Sequence, residues 1–349
     1  MNKLLKSAGF IIFIFSLFTL SADPFREKPR YIIRYNQAFI LNAVFTADSK
    51  KIITAEDKKI RIWNAESGEL ISTIDTLKNV PQAVHLSKSG KLLITGAYGG
   101  SSGEYVKVWN LEKKKQVGNL VKMSNVSDAA ISPDDSLAAV SGAVFGDKDK
   151  RSLTLWNLRN GKKIATLKTA DGYIPMSLLF TPDSGKLLVA VTGNQEGIEI
   201  WNLKTKSREN FIKTESEVTS LAFSPDEKSL AAGIFLAERR KLPDEGIIRF
   251  YSFPSLEKLR DLPSQKGFIS SLSFHPGGRY LVSGIYHTLP NLVIWDLKSG
   301  LPYYTNSVKE KQVLKAKFSP DGKFLTVIQA TFGNLGNPAT LKMFDTDQL

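Results

Sequence analysis

The chain has 349 residues, of which 42% are hydrophobic, and it contains no cysteine. The lack of cysteine excludes disulfide bonds and thiol chemistry, but a chain of this length can bury a core without disulfides. Its formal net charge of +13 favours anionic partners over cationic ones.

Residues 1–22 have the layout of a secretory signal peptide. Lys3 and Lys6 precede an apolar stretch from Gly9 to Leu20, and small residues follow. The apolar stretch is shorter than the roughly 20 residues that a helix needs to cross a bilayer. We therefore expect residues 1–22 to be cleaved, and the mature chain, without a transmembrane span, to be exported to the periplasm or the cell exterior.

Seven related turn motifs follow along the chain. Most of them combine Ser or Thr with Pro, Asp or Gly, residue types that favour tight turns and left-handed backbone positions. The seven tetrads are Thr46–Ser49, Ser87–Gly90, Ser132–Asp135, Thr181–Ser184, Ser224–Glu227, His275–Gly278 and Ser319–Gly322. Each tetrad is predicted to join two short antiparallel strands.

A second repeated feature is an aromatic residue that ends a strand-like segment at intervals of roughly 45 residues. The preceding residues alternate between apolar and other types, as in Ile60-Arg61-Ile62 and Leu153-Thr154-Leu155, which is typical of a β-strand. The closing aromatics are Trp63, Trp109, Trp156, Trp201, Tyr251, Trp295 and Phe344. A repeat of this length with four strands per unit is typical of a β-propeller blade.

The ends of these segments carry a family resemblance. Trp109-Asn110-Leu111, Trp156-Asn157-Leu158 and Trp295-Asp296-Leu297 resemble the Trp-Asp end of WD repeats. The resemblance covers Ala43 to Asp345 and implies an all-β, seven-bladed β-propeller of four-stranded antiparallel blades, with residues 30–349 as a single domain. The opening Gly-His pair and the full Asp, His, Ser and Trp hydrogen-bond tetrad are missing, so the chain is similar to divergent bacterial, exported members of the family.

The two ends of the chain are expected to share the last blade. An outer strand follows the other closing aromatics, but only five residues follow Phe344. Arg30 to Tyr35 has a strand pattern and no blade of its own. We predict that it pairs with the third strand of the last blade, because closure removes an exposed sheet edge.

Nearly every insertion falls in loops that lie on one face of a WD-type ring. Aromatic and basic residues are concentrated there, and aromatics and Arg are enriched at binding hot spots. The candidate partner-binding residues are Tyr98, Phe145, Lys148, Lys150, Arg151, Phe235, Arg239, Arg240, Lys241, Tyr286, His287 and Phe332. For several of the aromatics, especially Phe145 and Phe235, the alternative is a structural role in capping the blades.

Catalytic and metal-binding patterns are not apparent in the sequence. His85, His275 and His287 fall in different repeats without metal-ligand spacing, and His275 is predicted to have a turn role. The glycine-rich segment Gly96 to Gly103 lacks the Gly-Lys-Ser/Thr of a phosphate-binding loop. We therefore expect no metal and no cofactor.

The repeats favour a non-catalytic, exported scaffold that binds a protein or an anionic polysaccharide of the cell envelope, and no nucleic acid. An alternative is a propeller hydrolase or lactonase-like enzyme with its site in the central channel. A deep polar channel pocket with strongly shifted pKa values would distinguish the enzyme. A third interpretation is one subunit of an envelope assembly, and the sequence leaves the oligomeric state open.

Overall fold

The computed structural model describes residues 28–349 apart from ten short segments. These segments are residues 36–39, 57–58, 76–80, 98–102, 145, 170–172, 237–244, 287, 308–310 and 332–338. The predicted signal peptide, residues 1–22, lies outside the described residues. In the part of the chain that is described, no helix has the length and apolar character to cross a membrane.

The described residues form 28 β-strands, most of them five to eight residues long. In chain order these are β1 Tyr31–Tyr35, β2 Ile40–Phe45, β3 Lys51–Glu56, β4 Lys59–Asn64, β5 Leu70–Asp75, β6 Pro81–Leu86, β7 Leu92–Ala97, β8 Glu104–Asn110, β9 Lys115–Ile131, β10 Leu137–Val144, β11 Asp147–Asn157, β12 Lys162–Leu167, β13 Tyr173–Phe180, β14 Lys186–Gly193, β15 Gly197–Asn202, β16 Ser207–Lys213, β17 Glu217–Phe223, β18 Ser229–Leu236, β19 Glu245–Ser252, β20 Lys258–Asp261, β21 Gln265–Lys266, β22 Phe268–Phe274, β23 Tyr280–Tyr286, β24 Leu292–Asp296, β25 Leu301–Asn306, β26 Lys311–Phe318, β27 Phe324–Thr331 and β28 Ala339–Asp345.

Strands that follow one another in the chain pair antiparallel within sheets. Four sheets have four strands each, in the orders β2-β3-β4-β5, β13-β14-β15-β16, β22-β23-β24-β25 and β1-β28-β27-β26. A fifth sheet contains β17 to β20, and the short β21 also pairs with β19. The remaining strands, β6 to β12, form one seven-stranded sheet. This all-β arrangement of four-stranded antiparallel sheets is consistent with a propeller.

The described residues thus form six hydrogen-bonded sheets, whereas the repeats predict seven blades. The difference comes from β9, which has 17 residues and no turn. Its first half pairs with β8 and its second half pairs with β10, with Met123 opposite Glu104 on one side and Val144 on the other. The sequence between Lys115 and Ile131 contains no proline, so no residue there interrupts the strand.

The predicted pairing of Arg30 to Tyr35 with the last blade is present. Strand β1 pairs antiparallel with β28, with Tyr31 opposite Met343 and Tyr35 opposite Ala339. An ion pair of 2.8 Å between Arg30 Nε and Asp345 Oδ1 extends the contact. The strand nearest the N terminus therefore completes the sheet that contains the last strand of the chain.

Most of the buried apolar residues lie between sheets, and one cluster lies within the seven-stranded sheet, between its two halves. One cluster joins Ile40 and Phe45 of β2 to Leu341 and Met343 of β28. The other clusters likewise combine residues of successive units along the chain. Each sheet buries its apolar side chains against its neighbours, as expected for repeats that cannot shelter a core alone.

The first strand of each repeat lies against the first strand of the next. These strands are β2, β6, the second half of β9, β13, β17, β22 and β26, and we call them the inner strands. Each contacts its successor, and β26 contacts β2.

The predicted turn tetrads have the expected left-handed backbone at their fourth position. The residues there are Ser49, Gly90, Asp135, Ser184, Glu227, Gly278 and Gly322, with φ between 58° and 76°. In five tetrads the first hydroxyl donates to the aspartate two residues later, as in Ser132 Oγ to Asp134 Oδ1 at 2.5 Å. The local sequence therefore determines these turns through side chain and backbone together.

Candidate functional site

Three of the predicted partner-binding residues have described side chains: Arg151, Phe235 and Tyr286. Lys148 and Lys150 lie in β11. The other candidates, namely Tyr98, Phe145, Arg239, Arg240, Lys241, His287 and Phe332, lie outside the described residues.

Phe235 and Tyr286 are brought to one place by two neighbouring sheets. The ring of Phe235, in β18, lies 5.4 Å from the ring of Phe268, in β22, at an interplanar angle of 60°. Phe268 is paired across the sheet with Tyr286 of β23. All three side chains are half-buried, so this aromatic group both packs between the sheets and presents part of its surface.

Arg151 is not part of this aromatic group. It lies in β11 opposite Ala143, and the sheet of β13 to β16 follows before the strands that carry Phe235 and Tyr286. The structure therefore joins two of the three described candidates and places the third in another sheet.

A second group of functional side chains lies on the inner strands. Every inner strand ends in an apolar residue, and the positions one and three residues before it share a side because strands have a two-residue period. Four titratable residues occupy these positions: His85 in β6, Asp128 in β9, and Lys315 and Lys317 in β26. We call them the inner-strand cluster.

Asp128 is held by backbone donors. Its Oδ2 accepts a hydrogen bond of 2.9 Å from the N–H of Leu178 on the next inner strand, and its Oδ1 accepts one of 2.8 Å from the N–H of Ala129. Burial raises the pKa of Asp128, and these hydrogen bonds and the cations of Lys315 and Lys317 oppose the shift. Asp128 thus connects two neighbouring inner strands.

His85 has a similar role in the preceding contact. Its Nδ1 accepts a hydrogen bond of 3.3 Å from the N–H of Ile131, in β9, so the imidazole is neutral with its proton on Nε2. Burial lowers the pKa of His85 to about 4, the Lys317 cation adds to this effect, and Asp135 opposes it. The imidazole is therefore a structural acceptor at neutral pH.

The two lysines of the cluster are adjacent on one side of β26. Burial lowers the pKa of Lys315, and the Asp128 charge opposes the shift. The side chain of Lys317 is solvent-accessible. Desolvation by the surrounding strands nevertheless lowers the pKa of Lys317, and the charge of the neighbouring Lys315 lowers it further. Lys315 Nζ donates to the carbonyl oxygen of Ser270 at 3.3 Å.

This cluster does not favour the enzyme alternative. Its pKa values are shifted, which is the feature expected of an enzyme site. However, the one carboxylate of the cluster, on Asp128, accepts hydrogen bonds from two backbone N–H groups. His85 accepts a hydrogen bond from a third backbone N–H group. Among the described residues, no group of three or more His, Asp or Glu side chains could hold a metal ion.

A cleft of about 780 Å³ lies beside the turn tetrads, between the sheet of β17 to β20 and the sheet of β22 to β25. Its lining includes Phe250, Arg260 and Leu297. The Arg260 guanidinium lies 5.2 Å from the centroid of the Phe250 ring and donates to the Leu297 carbonyl at 2.7 Å. Because the Arg260 guanidinium already makes both contacts within the protein, we assign Arg260 a structural role in this cleft.

Sequence reasoning missed Asp128, Lys315 and Lys317. A signal was present, because the segment Lys315-Ala316-Lys317-Phe318 differs from its counterpart Ser271-Leu272-Ser273-Phe274 by two charges. Lysines at alternate positions of a predicted inner strand would have indicated the site. In contrast, the turn role predicted for His275 is confirmed, since its Nδ1 accepts from the Gly277 N–H at 3.1 Å.

Comparison with known proteins identifies the repeat. Residues 256–296 match the family model described as WD domain, G-beta repeat. The chain is 29% identical to nuclear distribution protein nudF of Aspergillus niger over 184 residues, which cover 48% of this chain and 39% of that protein. It is 35% identical to small ribosomal subunit protein RACK1y of Oryza sativa subsp. japonica over 143 residues, which cover 38% of this chain and 39% of the other.

A longer match is with the p21-activated protein kinase-interacting protein 1-like of Gallus gallus, 24% identical over 280 residues, which cover 77% of this chain and 66% of that protein. The chain thus spans less than two thirds of the length of these relatives. The matched repeat and the WD-repeat relatives together support the WD40 repeat family for this chain.

Proposed function

We propose that this protein is an exported, non-catalytic scaffold that uses the insertion-bearing face of a closed, seven-bladed propeller to bind a protein or an anionic polysaccharide. WD-repeat relatives are typically scaffold and interaction proteins. The observation that carries the proposal is the aromatic group of Phe235, Phe268 and Tyr286. In the sequence, Phe235 is followed closely by the insertion that contains Arg239, Arg240 and Lys241.

The proposed ring of seven blades is supported by the contacts of the inner strands. Counting each half of β9 with its own partners divides the seven-stranded sheet into two blades. The contact between β26 and β2 then links the last blade to the first. At the turns, the Asp321 N–H donates to Ser49 Oγ at 3.0 Å, a further link between the two blades.

The proposed binding face combines hydrophobic area with cations. Phe235 and Tyr286 are half-buried, so part of each ring is available for contact. Aromatic and Arg side chains provide much of the binding energy at protein interfaces. The basic residues of the insertion, Arg239, Arg240 and Lys241, would also attract an anionic partner, and this attraction would be stronger at low salt.

The names of two relatives are in keeping with a binding role. The Gallus gallus protein is named as interacting with a p21-activated protein kinase, and the Oryza sativa protein is named as part of the small ribosomal subunit. For the present chain these names support a binding role and no particular partner. The partner that we propose is a protein or an anionic polysaccharide, because the binding face combines aromatic and basic side chains.

The test is photo-crosslinking from position 235. A photoreactive phenylalanine replaces Phe235 in two proteins: the otherwise wild-type chain and a variant with Arg239→Ala, Arg240→Ala and Lys241→Ala. Each protein is crosslinked in its native source, and the crosslinked material is isolated. We expect one discrete adduct, reduced at least tenfold in the variant. The matched control carries Lys113→Ala, Lys114→Ala and Lys115→Ala, which removes the same charge from a turn that follows Trp109.

The control variant should keep the adduct. If both triple variants lose it equally, the binding depends on total charge and the proposed face is wrong. If neither loses it, the basic insertion is not involved. Export is tested separately by N-terminal sequencing of the protein isolated from its source, where a mature N terminus near Ala22 or Asp23 is expected and an intact Met1 would contradict it.

A further inference from the structure

The geometry of the inner-strand cluster points to a second binding site: we infer that Lys315 and Lys317 bind an oxyanion, a phosphate group or a carboxylate, where β26 meets β2. This site involves none of the residues proposed for the insertion-bearing face. It does not require the partner proposed above.

Three contacts between neighbouring inner strands, namely β6 with β9, β9 with β13 and β22 with β26, use side-chain acceptors at the cluster positions. Ser271 Oγ accepts from the N–H of Ala316 at 2.9 Å, and Ser273 Oγ accepts from the N–H of Phe318 at 3.2 Å. The first of these contacts has a counterpart at Asp128, whose Oδ2 accepts from the N–H of Leu178 on the next inner strand at 2.9 Å. A side-chain acceptor on one strand therefore satisfies a backbone donor on the next.

On β26 the same two positions carry Lys315 and Lys317. An ammonium group has three donors and no acceptor, so it cannot satisfy a backbone N–H of β2. Lys315 reaches back to the Ser270 carbonyl on β22, and among the described residues no hydrogen-bond acceptor is seen for the Lys317 ammonium.

If β26 and β2 keep the register of β22 and β26, the donors opposite these lysines belong to Ala43 and Phe45. Thr46 N–H donates to the Lys51 carbonyl at 3.0 Å, and hydrogen-bonded and non-hydrogen-bonded pairs alternate in an antiparallel ladder. Phe45 pairs with Ile52 and Ala43 lies two residues further along, so both N–H groups point away from β3. Strand β2 is at the edge of its sheet, and in the described part of the chain no side chain accepts from either group.

The Lys317 ammonium and two amide N–H groups at the edge of β2 thus have no protein acceptor among the described residues. Lys315 lies on the same side of β26 and donates to the Ser270 carbonyl. An oxyanion supplies several acceptor oxygens, and lysine binds phosphate as a point charge. The edge of a sheet also provides anion-binding concavities, and β2 is an edge strand. The cluster keeps an excess of positive charge, since it has two lysines, one carboxylate and an imidazole that is neutral at pH 7.

Asp128 does not fill this role. Among the described residues neither lysine forms an ion pair with Asp128, and both of its oxygens accept backbone hydrogen bonds. Its charge acts on the lysines through space. A bound oxyanion would therefore add direct hydrogen bonds that the protein itself does not provide.

The test is isothermal titration of the folded protein with inorganic phosphate, and in parallel with acetate, in a low-salt buffer free of both. We expect saturable binding of one anion per chain, weakened at least tenfold by Lys317→Gln and unchanged by Lys204→Gln, which removes the same charge from an exposed position. Binding of phosphate alone assigns the site to phosphate groups, and binding of acetate assigns it to carboxylates.

Absence of saturable binding of either anion would overturn the inference. So would binding that survives Lys317→Gln, or binding that Lys204→Gln reduces equally, because either result would place the anion elsewhere. If Lys317→Gln does not fold, Lys315→Gln replaces it, and the readout is the rise in melting temperature on adding the anion. That rise should be present in wild type and absent in the variant.

Discussion

His85 connects two inner strands only while its ring nitrogen is unprotonated. The Nδ1 atom accepts from the Ile131 N–H, and burial lowers the pKa of the imidazole to about 4. The unfolded chain has a histidine pKa near 6.5. Between these values the unfolded state binds more protons than the folded state, so the free energy of unfolding falls as the pH decreases from about 6.5 to about 4.

We predict that His85→Asn removes this pH dependence. The Asn Oδ1 takes the place of Nδ1 and can accept the Ile131 N–H, but it does not titrate. From pH 7 to pH 5, wild type should lose on the order of 2 kcal/mol of unfolding free energy more than the variant does. Urea denaturation of both proteins at the two pH values measures this difference, and equal losses would show that His85 does not titrate as a buried group.

The roles of single residues differ in how far the sequence could predict them. The turn role of His275 follows from its neighbours in the tetrad and is confirmed by a bond to Gly277. Asp128 and Lys317 come from distant repeats, and their electrostatic coupling depends on how the inner strands are arranged. Local patterns contain no information on that arrangement.

Among the structural elements, the turn tetrads also connect neighbouring repeats. Asp135 has a φ of 58°, and its carboxylate accepts from the N–H of Lys88 at 2.9 Å and from the N–H of Ser89 at 3.1 Å. Glu227 has the equivalent position and a φ of 60°, but among the described residues its side chain makes no hydrogen bond. The two turns are therefore matched in backbone and differ in the bridge.

We predict that Asp135→Gly lowers the free energy of unfolding by about 1 to 2 kcal/mol relative to Glu227→Gly. Glycine adopts the left-handed conformation readily, so both substitutions keep the turn and have similar backbone effects. Only the first removes two hydrogen bonds to a charged acceptor, which are partly weakened by solvent. Chemical denaturation of both variants gives the difference, and equal stabilities would mean that the bridge contributes nothing.

The order of the strands could largely be predicted from the sequence, because turn tetrads and closing aromatics are local signals. Trp109 and Trp295 end third strands as expected, and their indole N–H groups donate to Thr95 and Ser283. The fusion of two repeats in β9 could not be predicted in this way. A strand that leaves one sheet and enters the next has the same alternating pattern as two separate strands.

At the level of the whole molecule, β1 connects the N-terminal part of the chain to the last sheet. Tyr35 is buried and meets Trp63 edge to face, with ring centroids 6.4 Å apart. The Tyr31 hydroxyl donates to the Ala65 carbonyl at 2.8 Å, and its ring lies 2.7 Å from where a Cβ on Gly68 would be. Strand β1 thus contacts both the last sheet and the first.

We predict that a chain starting at residue 36 is less stable than a chain starting at residue 28 by at least about 3 kcal/mol, since it loses a buried tyrosine and exposes apolar area on β28. The unpaired edge of β28 should also exchange its amide hydrogens faster from Thr340 to Met343, because β1 covers these residues. Thermal and urea denaturation measure the first effect, and hydrogen exchange measures the second.

If the shorter chain does not fold, Tyr35→Ala in the longer chain tests the same contact with a smaller change to the structure. Equal stability and equal exchange in the two chains would show that the last sheet holds together without the N-terminal strand. The proposed closure of the ring would then depend on the contacts of β2 with β26 and β27 and on the hydrogen bond between Asp321 and Ser49.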